Sequence, residues 1–489
     1  MSDEEQPETP AVTSAALEED LVERDGAVTV GRTRVPYRSQ AGRLAVRDGA
    51  GKPKAHVFHI AYLRTGVEDT SQRPVVFAFN GGPGSSSAWL HLGLFGPRRV
   101  LLGDATTPPP PPYLPIENRH SVLDLADLVL IDPVSTGFSR AADGEEASQF
   151  HGLEEDTELV GEVIRLWTVR NGRWASPKFL IGESYGTTRA ASVAEHLQRR
   201  HGMYLNGVAL ISSVLLFQTV RPGLGNDLAY ALYLPSYATT AWNHHRVDRN
   251  RHGTLEGIAD AAERFALGDY SRVLLLGSRA TDAERTAVRD ELAALTGLSP
   301  TFLEQVDLRI APHRFFKELL RDQRRTVGRL DSRYTGIDAD AAGDRPEYDP
   351  ANAMIQGPYT AAVNHHLRVE LGYESDLLYE VLNGEAVRPW KWGEANDGRY
   401  PEVGSRLRSA MSYNRGLRLF QAAGYFDLAT PYAAAEWTLD HLGVDASLRQ
   451  NVTTKRYQAG HMMYIHEPSL AQLRADLGRF VEGAIARQT

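Results

Sequence analysis

Short runs of Val, Ile, Leu and Phe recur along the chain, each closing on small or polar residues: "PVVFAFN" at Asn80, "LADLVLIDP" at Pro133, "PKFLIGES" at Ser184 and "NGVALISS" at Ser213. None of them alternates strictly between apolar and polar, so each predicts a strand covered on both faces. Between them lie helical patterns. In "HGLEEDTELVGEVIRLWTVRNG" from His151, Leu159, Val160, Val163, Ile164 and Trp167 fall on one face, and "TTRAASVAEHLQRRHG" from Thr187 predicts a second helix. Strands alternating with helices predict an α/β fold with a mixed, mainly parallel sheet and helices on both faces.

The pattern changes after about Phe217, where strand-like runs give way to helical stretches such as "TDAERTAVRDELAALTGL". It resumes with the strand-like "GLRLFQAAGYFD", the helix-like "TPYAAAEWTLDHL", the strand-like "VTTKRYQAG" and a last helix after Pro468. The expected organisation is therefore an acidic, poorly ordered tail over residues 1–33, a first core segment over 34–217, a mainly helical cap over 218–394 and a second core segment over 395–489. An insertion after a sheet strand lies over the carboxyl edge of the sheet, where it can roof a pocket. The proline run Pro108–Pro112 is expected to be an extended surface loop.

Composition narrows the function classes. With 53 Lys and Arg against 62 Asp and Glu, the net charge is -9, which argues against nucleic acid or an anionic membrane as partner. There is no cysteine, so a thiolate nucleophile, a disulfide framework and Cys-ligated metal are excluded. The acidic N-terminus lacks the basic start and apolar core of a signal peptide, and no stretch reaches about 18 uninterrupted apolar residues. The expectation is a soluble, cytoplasmic protein.

The chemistry centres on Gly182-Glu183-Ser184-Tyr185-Gly186, a G-x-S-x-G turn at the end of a predicted strand and the start of a predicted helix. Any glycine-flanked turn could give this pentapeptide, but that strand-to-helix position is what a nucleophilic serine requires. A serine hydroxyl needs a histidine base, and the histidine a carboxylate to fix its tautomer. Asp427 and His461 each follow a strand-like run, at the same sheet edge as Ser184, and the order Ser, Asp, His is that of an α/β-hydrolase fold. The pairs His244-His245 and His365-His366 lack metal-ligand spacing and are taken as structural. No metal or cofactor is implied.

Acyl transfer also needs N–H donors aimed at the developing oxyanion. One is expected from the residue after the nucleophile, Tyr185, and the other from a glycine-rich loop after an earlier strand. "FAFNGGPGSSSAWLHLG", from Phe77 to Gly93, fits that place. It carries no G-K-[ST] and no G-x-G-x-x-G, which argues against a phosphate cradle.

With these blocks in view, the chain resembles the serine carboxypeptidase family from roughly His56 to the C-terminus, through "NGGPGSSS", "LIDPVSTGFS", "GESYG", "PWKW", "GYFDLATP" and "AGHMMY". The resemblance implies Ser184 as nucleophile, His461 as base and then acid, and Asp427 as its orienter. It also implies an oxyanion hole from the N–H groups of Gly82 and Tyr185. Asn80 and Glu183 match residues that bind a peptide's free C-terminal carboxylate, Glu183 as a protonated donor. Three positions depart from the family pattern: Ala78 stands for its usual tryptophan, which helps to hold that carboxylate, Leu94 for the glutamate that shares a proton with the other glutamate, and Tyr425 for a common aspartate. The family's disulfides are absent too. The expected activity is serine carboxypeptidase action on peptides. The alternatives are an esterase, amidase or acyltransferase on a small acyl substrate with the same triad, and a non-catalytic binding protein on the same fold.

Overall fold

The computed structural model describes residues 19–103, 110–396 and 400–486. Nine principal strands form the central sheet: β1 (Asp20–Val30), β2 (Thr33–Arg47), β3 (Pro53–Arg64), β4 (Val75–Phe79), β5 (Asp127–Ile131), β6 (Lys178–Glu183), β7 (Gly207–Ile211), β8 (Arg418–Gly424) and β9 (Val452–Tyr457). Their spatial order is β1-β2-β3-β5-β4-β6-β7-β8-β9, with the two-residue strand Arg140–Ala141 also pairing with β3. Pairing is antiparallel from β1 through β3 to β5. From β5 through β4 to β9 it is parallel. With helices on both faces, this is the α/β-hydrolase arrangement.

Burial on both faces explains the unbroken apolar runs. On β4, Val75, Phe77 and Phe79 join the core beneath α1 (Leu153–Arg170) and α2 (Tyr185–His201), while Val76 and Ala78 join the opposite core. That second core also takes in Trp89–Phe95 and the inner faces of α6 (Pro350–His365) and α9 (Glu467–Ile485).

Between β7 and β8 the chain is mainly helical. There α3 (Leu228–Asn243), α4 (Leu255–Phe265) and α5 (Asp282–Thr296) build a separate apolar cluster, and α6 follows. Then α7 (Gly404–Tyr413) leads back to the sheet, and α8 (Tyr432–Asp440) joins β8 to β9. Leu428, one residue past Asp427, packs into the insertion's apolar cluster and so ties it to the sheet edge.

The expected N-terminal tail needs correction. Residues 1–18 lie outside the described residues, but Asp20–Val30 is strand β1, paired along all eleven residues with β2. As an edge strand it keeps only Val28 fully buried, so its side chains read as polar while its backbone is paired. Asp20 also bridges Arg43 at 2.6 Å and accepts from the Tyr373 hydroxyl at 2.9 Å. Of the proline run, Pro108 and Pro109 lie outside the described residues, and Pro110–Pro112 form an exposed loop. Among the described residues no helix is long and apolar enough to cross a membrane.

Candidate active site

Ser184 sits where β6 ends and α2 begins, with φ 60° and ψ -129°, a strained conformation for a side chain with a Cβ. Its N–H donates to the Ile211 carbonyl at 3.0 Å, and its carbonyl accepts from the Thr187 N–H and hydroxyl at 2.9 and 2.7 Å. The turn is thus over-determined by β7 and by the first turn of α2. Close approach explains the flanking glycines. A Cβ on Gly186 would meet the Phe79 carbonyl at 2.7 Å, and one on Gly81 would lie 2.5 Å from the Tyr185 nitrogen. The glycine-rich loop after β4 therefore lies directly against the serine turn, beside the open N–H groups that start α2.

Asp427 and His461 follow β8 and β9. Asp427 is fully buried, and its Oδ1 accepts the N–H groups of Ala429 and Thr430 at 2.8 and 3.0 Å. Its Oδ2 accepts the Thr430 hydroxyl at 2.8 Å and faces His461 Nδ1 at 2.7 Å. That contact places the proton of a neutral His461 on Nδ1 and leaves Nε2 as the lone-pair nitrogen. Ser212, at the end of β7, closes the ring: its hydroxyl donates to the His461 carbonyl at 2.7 Å, and its carbonyl accepts the Thr430 hydroxyl at 3.0 Å. Burial disfavours a charged His461, but the Asp427 charge and hydrogen bond outweigh it and hold the ring above its ordinary pKa.

Ser184 and His461 line one cavity of about 760 Å³ together with Asn80, Gly82 and Glu183. The fold thus gathers six of the seven residues singled out from the sequence, counting Asp427 behind His461; the seventh, Tyr185, starts α2 with its ring buried against Trp390 and Trp392. Asn80 is spoken for on its oxygens: Oδ1 accepts the Leu90 N–H at 3.0 Å and the carbonyl accepts Arg189 Nη1 at 2.5 Å. Glu183 is buried, and burial pushes its carboxyl up to about 7, with the His461 charge opposing and the Asp427 charge adding. Its Oε2 has no hydrogen-bond partner among the described residues.

The positions that depart from the family pattern now have a physical setting. Ala78 and Leu94 are both fully buried in the same apolar cluster, with Trp89, Tyr359 and Tyr464. Two positions at which the resemblance anticipates carboxylate-handling side chains are core positions here. Of the paired histidines, His366 and His244 are each held by a neighbour: His366 Nε2, like His91 Nε2, lies 2.7 Å from the Tyr62 hydroxyl, and His244 Nε2 lies 2.6 Å from the Ser332 carbonyl.

Several cavity residues carried no local sequence signal. Arg221 and Arg329 line the cavity, as do Trp390 and Trp392 from the segment that leaves the insertion. Only the two tryptophans, an aromatic pair at the exit of the insertion, stood out in the sequence.

Comparison with known proteins follows the same lines. The family model described as serine carboxypeptidase matches residues 31–282, a stretch that holds Asn80, Gly82 and Ser184 and ends before Asp427 and His461. Serine carboxypeptidase-like 45 of Arabidopsis thaliana is 28% identical over 200 residues, 39% of this chain and 39% of its own length. Serine carboxypeptidase-like 46 of the same plant is 26% identical over 239 residues, covering 44% of this chain and 47% of that protein. The chain thus spans less than half the length of these curated relatives. Among solved structures, a prohormone-processing carboxypeptidase from Saccharomyces cerevisiae superposes with a TM-score of 0.57 at 16% identity, over 91% of this chain and 92% of that one, a likeness of fold.

Proposed function

The chain belongs to the serine carboxypeptidase family, and on that premise we propose that it is a serine peptidase that releases C-terminal residues from peptides through an acyl-enzyme on Ser184. The observation that carries this reading is the buried Asp427–His461 hydrogen bond opening onto the cavity that also holds Ser184. In this reading His461 Nε2 takes the proton as Ser184 Oγ attacks the scissile carbonyl. Asp427 holds the ring and stabilises the imidazolium. The N–H groups of Gly82 and Tyr185 receive the oxyanion, and His461 returns the proton to the leaving amine. Water then repeats the sequence to free the acyl group.

On the leaving side, Asn80 and protonated Glu183 receive the terminal carboxylate. A neutral Glu183 can donate to it, whereas an ionised one would repel it.

Ser184→Ala tests the mechanism. Peptide hydrolysis is expected to fall by at least about three orders of magnitude with the fold unchanged by circular dichroism. A fluorophosphonate should label the native chain and not the variant. An unlabelled native chain would point to a binding protein on the same fold.

The core positions of Ala78 and Leu94 favour a second reading, an esterase, amidase or acyltransferase on a small acyl substrate. A peptide with a free C-terminus and its amidated twin separate the two. The carboxypeptidase reading expects clear preference for the free acid, and equal rates would refute it.

A further inference from the structure

The cavity around Ser184 is richer in available positive charge than the acidic chain that builds it. Three arginines line it, Arg221, Arg329 and Arg388, along with the carboxyl groups of Glu183, Asp349 and Glu385. The carboxyl groups are occupied or neutralised. Asp349 accepts three backbone N–H groups at the start of α6, from Arg329 and Ala351 at 3.0 Å each and Leu330 at 3.1 Å. Glu385 pairs with Arg388 at 3.1 Å. Glu183 is buried, with its carboxyl pushed up to about 7. Arg221 and Arg329 are left, and among the described residues neither guanidinium has an ion-pair partner.

Both are held in place. Arg221 is braced against the rings of Phe217 and Trp392, its guanidinium carbon 4.6 and 5.7 Å from the two centroids, and a guanidinium fork matches a carboxylate bidentately. Arg329 is fixed through its backbone: its carbonyl accepts the Leu428 N–H at 3.0 Å, beside Asp427, and the next carbonyl, Leu330, accepts the His461 N–H at 2.6 Å. Its guanidinium is close enough to oppose the positive charge of His461.

We propose that Arg221 and Arg329 form an anion-binding subsite of this cavity, so that the preferred substrates are peptides with an aspartate or glutamate beside the scissile bond. This rests on the peptidase reading above. A substrate carboxylate on Arg329 would do more than anchor the peptide. It would cancel the charge that opposes an imidazolium, and the imidazolium forms only as the reaction proceeds. Part of the gain therefore belongs in kcat as well as KM.

The test uses the full chain and one peptide series carrying Glu, Gln or Lys at the last or the penultimate position. At low ionic strength the native protein should cleave the Glu peptides about tenfold better than their Gln twins in kcat/KM, with the gap narrowing in high salt. Arg329→Glu should reverse the order, so that Lys peptides outpace Glu peptides. Both arginines are exposed, so the fold should tolerate the change, as thermal unfolding would verify, and Arg221→Gln provides a second variant that should narrow the Glu preference. Cleavage of Gln peptides with no advantage for Glu would overturn the subsite and leave the peptidase reading standing, as would a Glu preference that survives Arg329→Glu. No cleavage of any member would overturn the peptidase reading and the subsite with it.

Discussion

At the scale of single residues, Glu183 is the most informative group in the cavity. Its carboxyl is pushed up first by burial, and buried Leu94 stands where the resemblance anticipates a second glutamate. The consequence has a sign. In the folded chain Glu183 holds its proton up to about pH 7, whereas unfolded it loses it near its ordinary value of 4.5. Between those values the folded state binds more protons, so its contribution is fully present below about 4.5 and is lost as pH rises through about 7, a change of about 3 kcal/mol. Glu183→Gln should therefore destabilise least, relative to the native chain, at alkaline pH, a trend that thermal melts from pH 4 to 8.5 would display.

Binding should follow the same titration. For a free-acid peptide, KM is expected to climb about tenfold per pH unit above 7 as Glu183 ionises, while the KM of the amidated twin stays level. In the proposed mechanism His461 sets the other limb, since a base must be neutral and the pKa of His461 is raised. The free-acid substrate should thus show a narrow optimum near neutrality and the amidated one a plateau that extends to alkaline pH. A level KM for the free acid across pH 6 to 9 would refute the role given to Glu183.

At the scale of elements, the site depends on how closely the loop after β4 approaches the start of α2. A Cβ on Gly81 would lie 2.5 Å from the Tyr185 nitrogen and 2.7 Å from the Glu183 carbonyl, and both neighbours are backbone that cannot swing away. Gly81→Ala should force the loop and the serine turn apart, with kcat falling about a hundredfold while KM changes little, because the oxyanion donors lose their aim. Steady-state kinetics on an amidated and a free-acid peptide would check that the loss is common to both.

This is also where the sequence was most legible. Ser184, Asp427 and His461 each stand at the end of an apolar run, so their convergence on one sheet edge follows from a parallel sheet before any coordinates. Strand β1 was hidden because an exposed edge strand shows its backbone pairing to no local pattern. Arg221, Arg329 and Asp331 were hidden for another reason. Each owes its place to partners far along the chain or to a wall built by distant segments, and nothing adjacent in sequence marks them.

On the scale of the whole molecule, the insertion braces the loops that carry Asp427 and His461. Residues Arg329–Ser332 run between the two loops that carry Asp427 and His461 and bond to both. Leu428 N–H donates to the Arg329 carbonyl at 3.0 Å, Ser332 N–H to the Phe426 carbonyl at 3.0 Å, and His461 N–H to the Leu330 carbonyl at 2.6 Å. Asp331, almost fully buried, accepts the Gly460 N–H at 3.1 Å and pairs with Arg333 at 2.6 Å, and Arg333 reaches on to the Gln458 carbonyl at 3.0 Å. One carboxylate thus holds the backbone immediately before His461 from the side of the insertion. Removing it as Asp331→Ala leaves the largely buried Arg333 guanidinium without its carboxylate, at a cost of about 3 to 5 kcal/mol, and frees the histidine loop. The expected result is a kcat lowered by ten- to a hundredfold with KM within about threefold of native, because the loss falls on the base and not on the cavity wall. Asp331→Asn can still accept from the Gly460 N–H and should recover part of kcat while recovering less of the melting temperature. That split separates positioning of His461 from bulk stabilisation. If kcat tracked the melting temperature in both variants, the positioning role of Asp331 would be wrong.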